Sequence, residues 1–295
     1  MLKTLFRKIR NGAQAMNINS AHPNGHFYSP VTDPQELAAR LVELYPSNPQ
    51  AVGVVFDDLA IERALTEVLA PMLAGYDYPE LGPEDGELSH FYTQNSQFSW
   101  LDPRALFAFL RSWRPARIVE VGSGYSSLLI ADVNQRFLGG RTRIECVEPY
   151  PRPFLRRTDL GLSLIEKRVQ DIPLAFFESL NANDLLFIDS SHVSKTGSDV
   201  NYLYLQILPR LQRGVKIHIH DIFLPAEYPK DWVITENRSW NEQYLLQALL
   251  IGSNMFKILF ANNYAFMRFP QLVIQALNHP KRHGFGGGSI YIERL

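Results

Sequence analysis

The sequence predicts an α/β fold, a mostly parallel sheet with helices on both faces, preceded by a helical and loop-rich segment. Three observations carry this. From about residue 102 onward, short apolar strand-like runs alternate with helical patterns of roughly 8–15 residues, the order that builds βαβ units. Seven such runs occur, and the last two, FKILF and SIYIER, have between them only a connection fit for an antiparallel return. The first hundred residues contain no strand pattern of their own.

In chain order, MLKTLFRKIRNGAQAM is basic and weakly amphipathic, without the long apolar core of a secretory signal. Its solvated basic face reads as a surface helix, or as a segment that touches an anionic membrane surface. Residues 17–35 hold Pro, Asn, Gly and Ser in loop proportions. Asp33-Pro34 starts the helix QELAARLVELY, which ends before Pro46. FDDLAIERALTEVLAPML follows at helical spacing, then a loop rich in aromatics and turn formers. PRALFAFLRSWRP is a helix closed by Pro115. Strand and helix then alternate: RIVEV, SSLLIADVNQRFL, RIECVE, PRPFLRRTDLG, SLIEKRVQD, PLAFFESL, DLLFID, SDVNYLYLQILPRL, VKIHIHD, RSWNEQYLLQALLIG, FKILFANNY and GGSIYIERL. The expected division is a cap over residues 1–100, on the substrate side, and a sheet domain over residues 101–295.

Composition narrows the function. The chain has 295 residues, 46% hydrophobic and 20% charged, with 29 basic and 30 acidic residues and a net charge of −1. No basic field argues for nucleic acid. A lone cysteine, Cys146, excludes an internal disulfide framework and fits a reducing, cytoplasmic setting. No apolar run of about 18 residues offers an integral membrane segment. Homo-oligomerisation is left open.

The stretch RIVEVGSGYSSLLIADV places an acid, Glu120, inside a strand two residues before a glycine turn. Such a turn lets backbone N–H groups approach a ligand at the carboxyl edge of the sheet. GSGYSS is only part of a dinucleotide fingerprint, because Ser127 stands where the third glycine belongs. An NAD-dependent oxidoreductase would set a pyrophosphate against a buried carboxylate, at a cost that opposes binding. S-adenosylmethionine carries a sulfonium and an ammonium and no phosphate, which reverses that sign.

E-V-G-S-G-Y-S resembles the first motif of class I S-adenosylmethionine-dependent methyltransferases, and the resemblance runs from about residue 95 to 295, including GGSIYIERL. It implies a Rossmann-like sheet of seven strands with the seventh antiparallel between the fifth and sixth. It also implies that Glu120, Gly122, Ser123 and Gly124 surround the methionine part, that Glu148 accepts both ribose hydroxyls, and that Asp171 meets the adenine amino group. Glu148 also reads as a surface residue before Pro149, and Asp171 as a helix N-cap before Pro173.

Two strands end in FIDSSH and HIHDIF. If they are neighbours about 4.8 Å apart, Asp189, His192, His220 and Asp221 share one rim. In a regular strand, His218 and His220 point one way and Ile217 and Ile219 the other. Carboxylates with an imidazole suit a divalent cation, Mg²⁺ first, on Asp189 and Asp221. The pattern resembles metal-assisted O-methyltransferases, with Asp189-Ser-Ser-His192 as their Asp-x-x-His; His220-Asp221 departs from the acidic pair expected next. Without an ion, Asp189 caps the following loop and His220 and Asp221 form a hydrogen-bonded rim. Methyl transfer to oxygen is largely alignment plus loss of a proton, so Asp189, His192 and His220 are the catalytic candidates, with His192 as base. Aromatic and polar loop residues suit a saccharide or other small-molecule acceptor: His26, Phe27, Tyr28, Phe98, Trp100, Phe223, Tyr228, Trp232, Arg238, Trp240 and Asn241. A methyltransferase-like domain that binds without turnover is the reading from another class.

Overall fold

The computed structural model describes residues 20–83, 90–277 and 287–295, so the reading of the basic N-terminal stretch lies outside the described residues. Internal contacts divide the chain into two units, Met1–Leu44 with Lys230–Ser239, and Tyr45–Pro229 with Trp240–Leu295.

In the first unit Asp33 caps the helix Pro34–Ala39 as its sequence predicts, its carboxylate accepting from Gln35 N–H. A second short turn, Leu41–Leu44, follows. Thr32 ties the two stretches of this unit together through Asn237 and Ser239, at 3.1 and 3.2 Å.

The second unit carries the sheet. Its strands are β1 Arg117–Val121, β2 Arg143–Val147, β3 Ser163–Ile165, β4 Leu185–Ile188, β5 Lys216–His220, β6 Phe256–Ala261 and β7 Ser289–Arg294. Their order is β3-β2-β1-β4-β5-β7-β6, with β7 antiparallel to both β5 and β6 and every other pairing parallel. The seven-stranded, mostly parallel sheet expected from the sequence is the one observed.

Alternation along the strands sorts the core into two layers. Val119, Val121, Leu186, Ile188, Ile217 and Ile219 pack with Val200, Leu203, Ile207 and Leu246 on one face. Ile118, Cys146, Leu185 and Phe187 pack with Leu106, Leu110, Leu128 and Val133 on the other. The latter residues come from the helices Leu101–Trp113 and Tyr125–Phe137. Each fully buried Leu, Ile or Phe contributes about 1.5–3 kcal/mol, so both faces of the central strands are fixed by burial. His218 lies against Phe187 and Tyr291, opposite Ile217 and Ile219, as the alternation predicts.

The two units divide at Leu44–Tyr45, and Ile61, Leu65 and Leu69 bury against Ala105, Phe109, Phe260 and Tyr291. The helical segment beginning at Asp58 therefore belongs to the sheet unit, while the other unit recruits residues 230–239. SLIEKRVQD reads as a strand reaching a loop, and its strand part is Ser163–Ile165. Lys167 N–H turns back to Ile165 C=O at 2.8 Å, and Val169–Asp171 is a 3₁₀ turn, so the charged Glu166-Lys167-Arg168 leaves the sheet edge.

Candidate active site at the carboxyl edge of the sheet

The chain leaves β1 for β2 and β3 on one side and returns to β4 and β5 on the other. The carboxyl ends of β1 and β4 therefore form the switch point at which open α/β sheets bind ligands. The predicted cofactor, catalytic and metal residues all lie in the second unit, whereas His26, Phe27, Tyr28, Trp232 and Arg238 of the expected acceptor lining belong to the first.

The turn after β1 is built around an acid. Glu120 is 0% exposed, and its carboxylate accepts from Ser126 Oγ at 2.7 Å, Ser127 Oγ at 2.5 Å and Cys146 Sγ at 3.2 Å. Ser127 Oγ in turn accepts from Gly124 N–H at 3.0 Å. The serine in place of a third glycine thus links the turn to the acid beneath it. The Glu120 carboxylate is enclosed by the serines that open the following helix and by Cys146. Burial pushes its pKa up to about 7, against the hydrogen bonds from Ser127, Ser126 and Cys146. A carboxyl group held near neutrality opposes an anionic ligand less than a full charge does.

Gly122 has φ +80°, and a Cβ there would overlap the Asp189 carbonyl oxygen, so only glycine lets the turn pack on the end of β4. At Gly124 no atom stands within 4 Å of a would-be Cβ, leaving the outer side of the turn open to a ligand. Ser123 Oγ is buried without a hydrogen-bond partner. Glu148, just past β2, accepts from Ser123 N–H at 3.2 Å and Tyr150 N–H at 2.8 Å. The turn and Glu148 are thus brought together in an arrangement that fits a nucleoside-bearing cation. Asp171 is exposed, and both its oxygens are held by the Arg168 guanidinium at 2.8 and 2.9 Å, a fork that must open before it meets an adenine.

At the rim, β4 and β5 are neighbours, and their ends converge. His192 Nε2 lies 3.3 Å from Asp189 and 3.4 Å from Asp221. His220 Nδ1 lies 3.5 Å from Asp189 and 3.7 Å from Asp221. One ligand atom each from Asp189, His220 and Asp221 falls within 4.8 Å of the others, close enough to converge on a divalent cation. His192 and Asp221 adopt positive φ, 60° and 57°, a region His and Asp enter more readily than most residues.

Sequence reasoning missed two acids. Glu242, at the start of the helix Glu242–Leu250, is fully buried, and its Oε2 stands 2.7 Å from His192 Nδ1 and accepts from Ser190 Oγ at 2.8 Å. The His192 carbonyl accepts from Asn241 and Glu242 N–H at 3.0 and 3.2 Å, docking the helix onto the loop after β4. Asp102, at the start of the helix before β1, lies 3.7 Å from His220 Nε2 and accepts from Asn262 and from Gly288 N–H. The sequence signal for both is weak, since acids in a first helical turn ordinarily read as solvated partners of the helix dipole.

The acids set the protonation. Burial alone would lower the His192 pKa, but Asp189, Glu242 and Asp221 outweigh it and push it up to about 10. The acids around His192 thus favour its protonated form. Burial raises Asp221 to about 6 against the pull of His220 and His192. Asp189 is held well below the usual carboxylate range: burial would raise it, and the charge of His220 and the hydrogen bond from His192 prevail.

Of the aromatic lining expected, Trp240 meets His192, with ring centroids 4.2 Å apart. Phe98, Phe223 and Tyr228 are buried, and Phe98 lies edge-on to His220. Phe27 and Tyr28 are exposed.

Residues 119–222 match a family model described as "Methyltransferase domain". An uncharacterized protein of Archaeoglobus fulgidus is 38% identical over 193 residues, covering 61% of this chain and 86% of that one. Among solved structures, the MycE methyltransferase of the mycinamycin biosynthetic pathway, in complex with Mg and SAH, aligns at 15% identity and TM-score 0.37 over 77% of this chain and 54% of its own. The chain thus spans about half of MycE. A structure titled cmcI-D160 Mg-SAM aligns at 16% identity and TM-score 0.38, over 74% of this chain and 87% of its own. Superpositions this loose establish neither fold nor activity; the strand order and the family match do not depend on them. Among the described residues, no helix is long and apolar enough to cross a membrane.

Proposed function

We propose that the chain is a class I S-adenosylmethionine-dependent methyltransferase, as its strand order and the match of residues 119–222 to a methyltransferase-domain model support, and that it methylates a hydroxyl oxygen of a small-molecule acceptor, a saccharide or secondary metabolite. The observation that carries this is the packing of the Gly122 turn against Asp189, which puts the methyl-donor turn beside the Asp189–His192–Asp221 rim.

S-adenosylmethionine supplies an electrophilic methyl on a positively charged sulfur. Gly122, Ser123 and Gly124 present its backbone cradle, and Glu148 faces the ribose with lone pairs to spare beyond Ser123 and Tyr150. Glu120 holds the turn rigid from beneath. A divalent cation on Asp189, Asp221 and His220 would supply Lewis acidity, lowering the acceptor hydroxyl's pKa. A cation held by Asp189 and Asp221 would leave His192 Nε2 with fewer acids around it and so favour its neutral, proton-accepting form. Glu242 on Nδ1 fixes the tautomer that leaves Nε2 facing the acceptor and stabilises the imidazolium as the proton arrives. A nitrogen acceptor needs no such base once neutral, so this histidine–acid pair favours oxygen.

The test is His192→Ala, assayed against a panel of hydroxylated acceptors while S-adenosylhomocysteine binding is followed by calorimetry. Turnover should fall at least about a hundredfold with cofactor affinity intact. Full activity in the variant removes His192 from the chemistry; failure of the native chain to bind S-adenosylhomocysteine removes the methyltransferase reading.

A further inference from the structure

We propose that the rim takes a first-row transition ion in preference to Mg²⁺, with His220 Nδ1 as a ligand beside Asp189 and Asp221, and that Asp102 positions His220 for it. The inference rests on the cation site of the preceding subsection and adds the identity of its metal and the residue that orients its nitrogen ligand.

His220 is the last residue of β5, and only 4% of its side chain is exposed. Its Nδ1 is buried and has no hydrogen-bond partner, yet it points at two carboxylates, 3.5 Å from Asp189 and 3.7 Å from Asp221. A buried ring nitrogen left unpaired costs about 1–3 kcal/mol unless something fills the gap. A cation held in common with the two acids fills it, since one ligand atom from each residue lies within 4.8 Å of the others. That donor set is one imidazole and two carboxylates. Mg²⁺ prefers oxygen throughout and gives up its water reluctantly, whereas imidazole suits the later divalent ions.

The other ring nitrogen completes the arrangement. Metal-bound histidines ordinarily give their second N–H to a carboxylate, which fixes ring and tautomer. Here Nε2 faces Asp102 Oδ2 at 3.7 Å. Asp102 is itself fixed, because Asn262 Nδ2 donates to its Oδ1 at 2.7 Å and Gly288 N–H to its Oδ2 at 3.1 Å. Gly287 lets the chain before β7 come this close: a Cβ there would collide with the Asp102 carboxylate. The helix before β1, the start of β7 and the helix after β6 thus converge on the back of one histidine. Phe98, edge-on to the His220 ring at 5.2 Å between centroids, restricts its rotation.

The test is calorimetric binding of Co²⁺ and of Mg²⁺ to the metal-stripped full chain, with pulsed electron paramagnetic resonance on the Mn²⁺-loaded protein to detect coupling to a ligand nitrogen. Native protein should bind Co²⁺ more tightly than Mg²⁺ and show the nitrogen coupling. His220→Asp should erase the coupling and lower the Co²⁺-to-Mg²⁺ affinity ratio at least about tenfold. Asp102→Asn should weaken Co²⁺ about 10–100-fold while leaving S-adenosylhomocysteine affinity unchanged. If that variant does not fold, Asn262→Ala, which keeps the carboxylate and removes the amide that fixes it, should weaken Co²⁺ in the same direction. No nitrogen coupling in native protein, an affinity ratio that His220→Asp leaves unchanged, or full Co²⁺ affinity in a folded Asp102 or Asn262 variant overturns the inference. S-adenosylhomocysteine binding on the same samples tests the methyltransferase reading separately.

Discussion

Glu242 Oε2 stands 2.7 Å from His192 Nδ1 across 50 residues of sequence, and the helix that begins at Glu242 rests its first N–H groups on the carbonyl of the same histidine. Backbone and side chain of one residue are therefore set by one helix terminus. Removing the acid should uncouple the ring from that support without touching the methyl-donor turn. In Glu242→Gln, kcat should fall about 10–100-fold while S-adenosylhomocysteine affinity stays within about twofold. The pH profile of kcat/KM should also move toward lower pH, because one of the charges that raise His192 is gone. A proportional loss of cofactor affinity, or an unmoved profile, would assign Glu242 a purely structural role.

This pair also marks where sequence reading stopped. The strands were legible because RIVEV, LLFI and KIHIH are short apolar runs that only a buried sheet can use. The rim was legible because Asp189, His192, His220 and Asp221 directly follow or end two of those strands. Glu242 and Asp102 were not, because each opens an otherwise ordinary helix and its burial comes from elements far away in sequence. The enclosure of Glu120 was not legible either: the strand register that sets it beside Cys146 is a tertiary fact, and the serines that enclose it look like plain helix-start residues.

The enclosed position of Glu120 makes stability depend on pH. Its folded pKa is raised from 4.5 to about 7, so the folded state disfavours the charged form. The sign follows: its contribution is fully present below the unfolded pKa of 4.5 and is lost as pH rises through about 7. At about 1.4 kcal/mol per pKa unit, the loss is about 3 kcal/mol. Urea unfolding of native protein and Glu120→Gln between pH 4.5 and 8 should show a declining stability in the native chain and a flatter one in the variant. Parallel curves would mean that Glu120 stays charged.

Glu148 joins the turn after β1 to the end of β2 through Ser123 and Tyr150 N–H. Both bonds are partly exposed, so their loss should cost the fold only about 1 kcal/mol. Loss of the acid as a partner for two ribose hydroxyls is a larger matter for the ligand. In Glu148→Ala, S-adenosylhomocysteine affinity by calorimetry should fall about 10–100-fold, with the melting temperature shifted by only a few degrees. Unchanged affinity would withdraw Glu148 from the ribose.

Gly122 tests whether the turn and the rim act as one construction. Its φ of +80° and the Asp189 carbonyl oxygen lying where a Cβ would go leave a side chain nowhere to stand. In Gly122→Ala the turn must lift off the end of β4, at a cost of about 3 kcal/mol or more. Asp189 N–H bonds to Val121 C=O at 2.8 Å, so that displacement should pull on the rim as well. The variant should lose cofactor affinity and rim geometry together, whereas Gly124→Ala, with open space around it, should remain folded and lose affinity only. Thermal unfolding and S-adenosylhomocysteine calorimetry on the two variants decide the matter: equal stability in both would mean that β1 and β4 are not locked through this contact, and the donor turn and the rim would then have to be treated as independent sites.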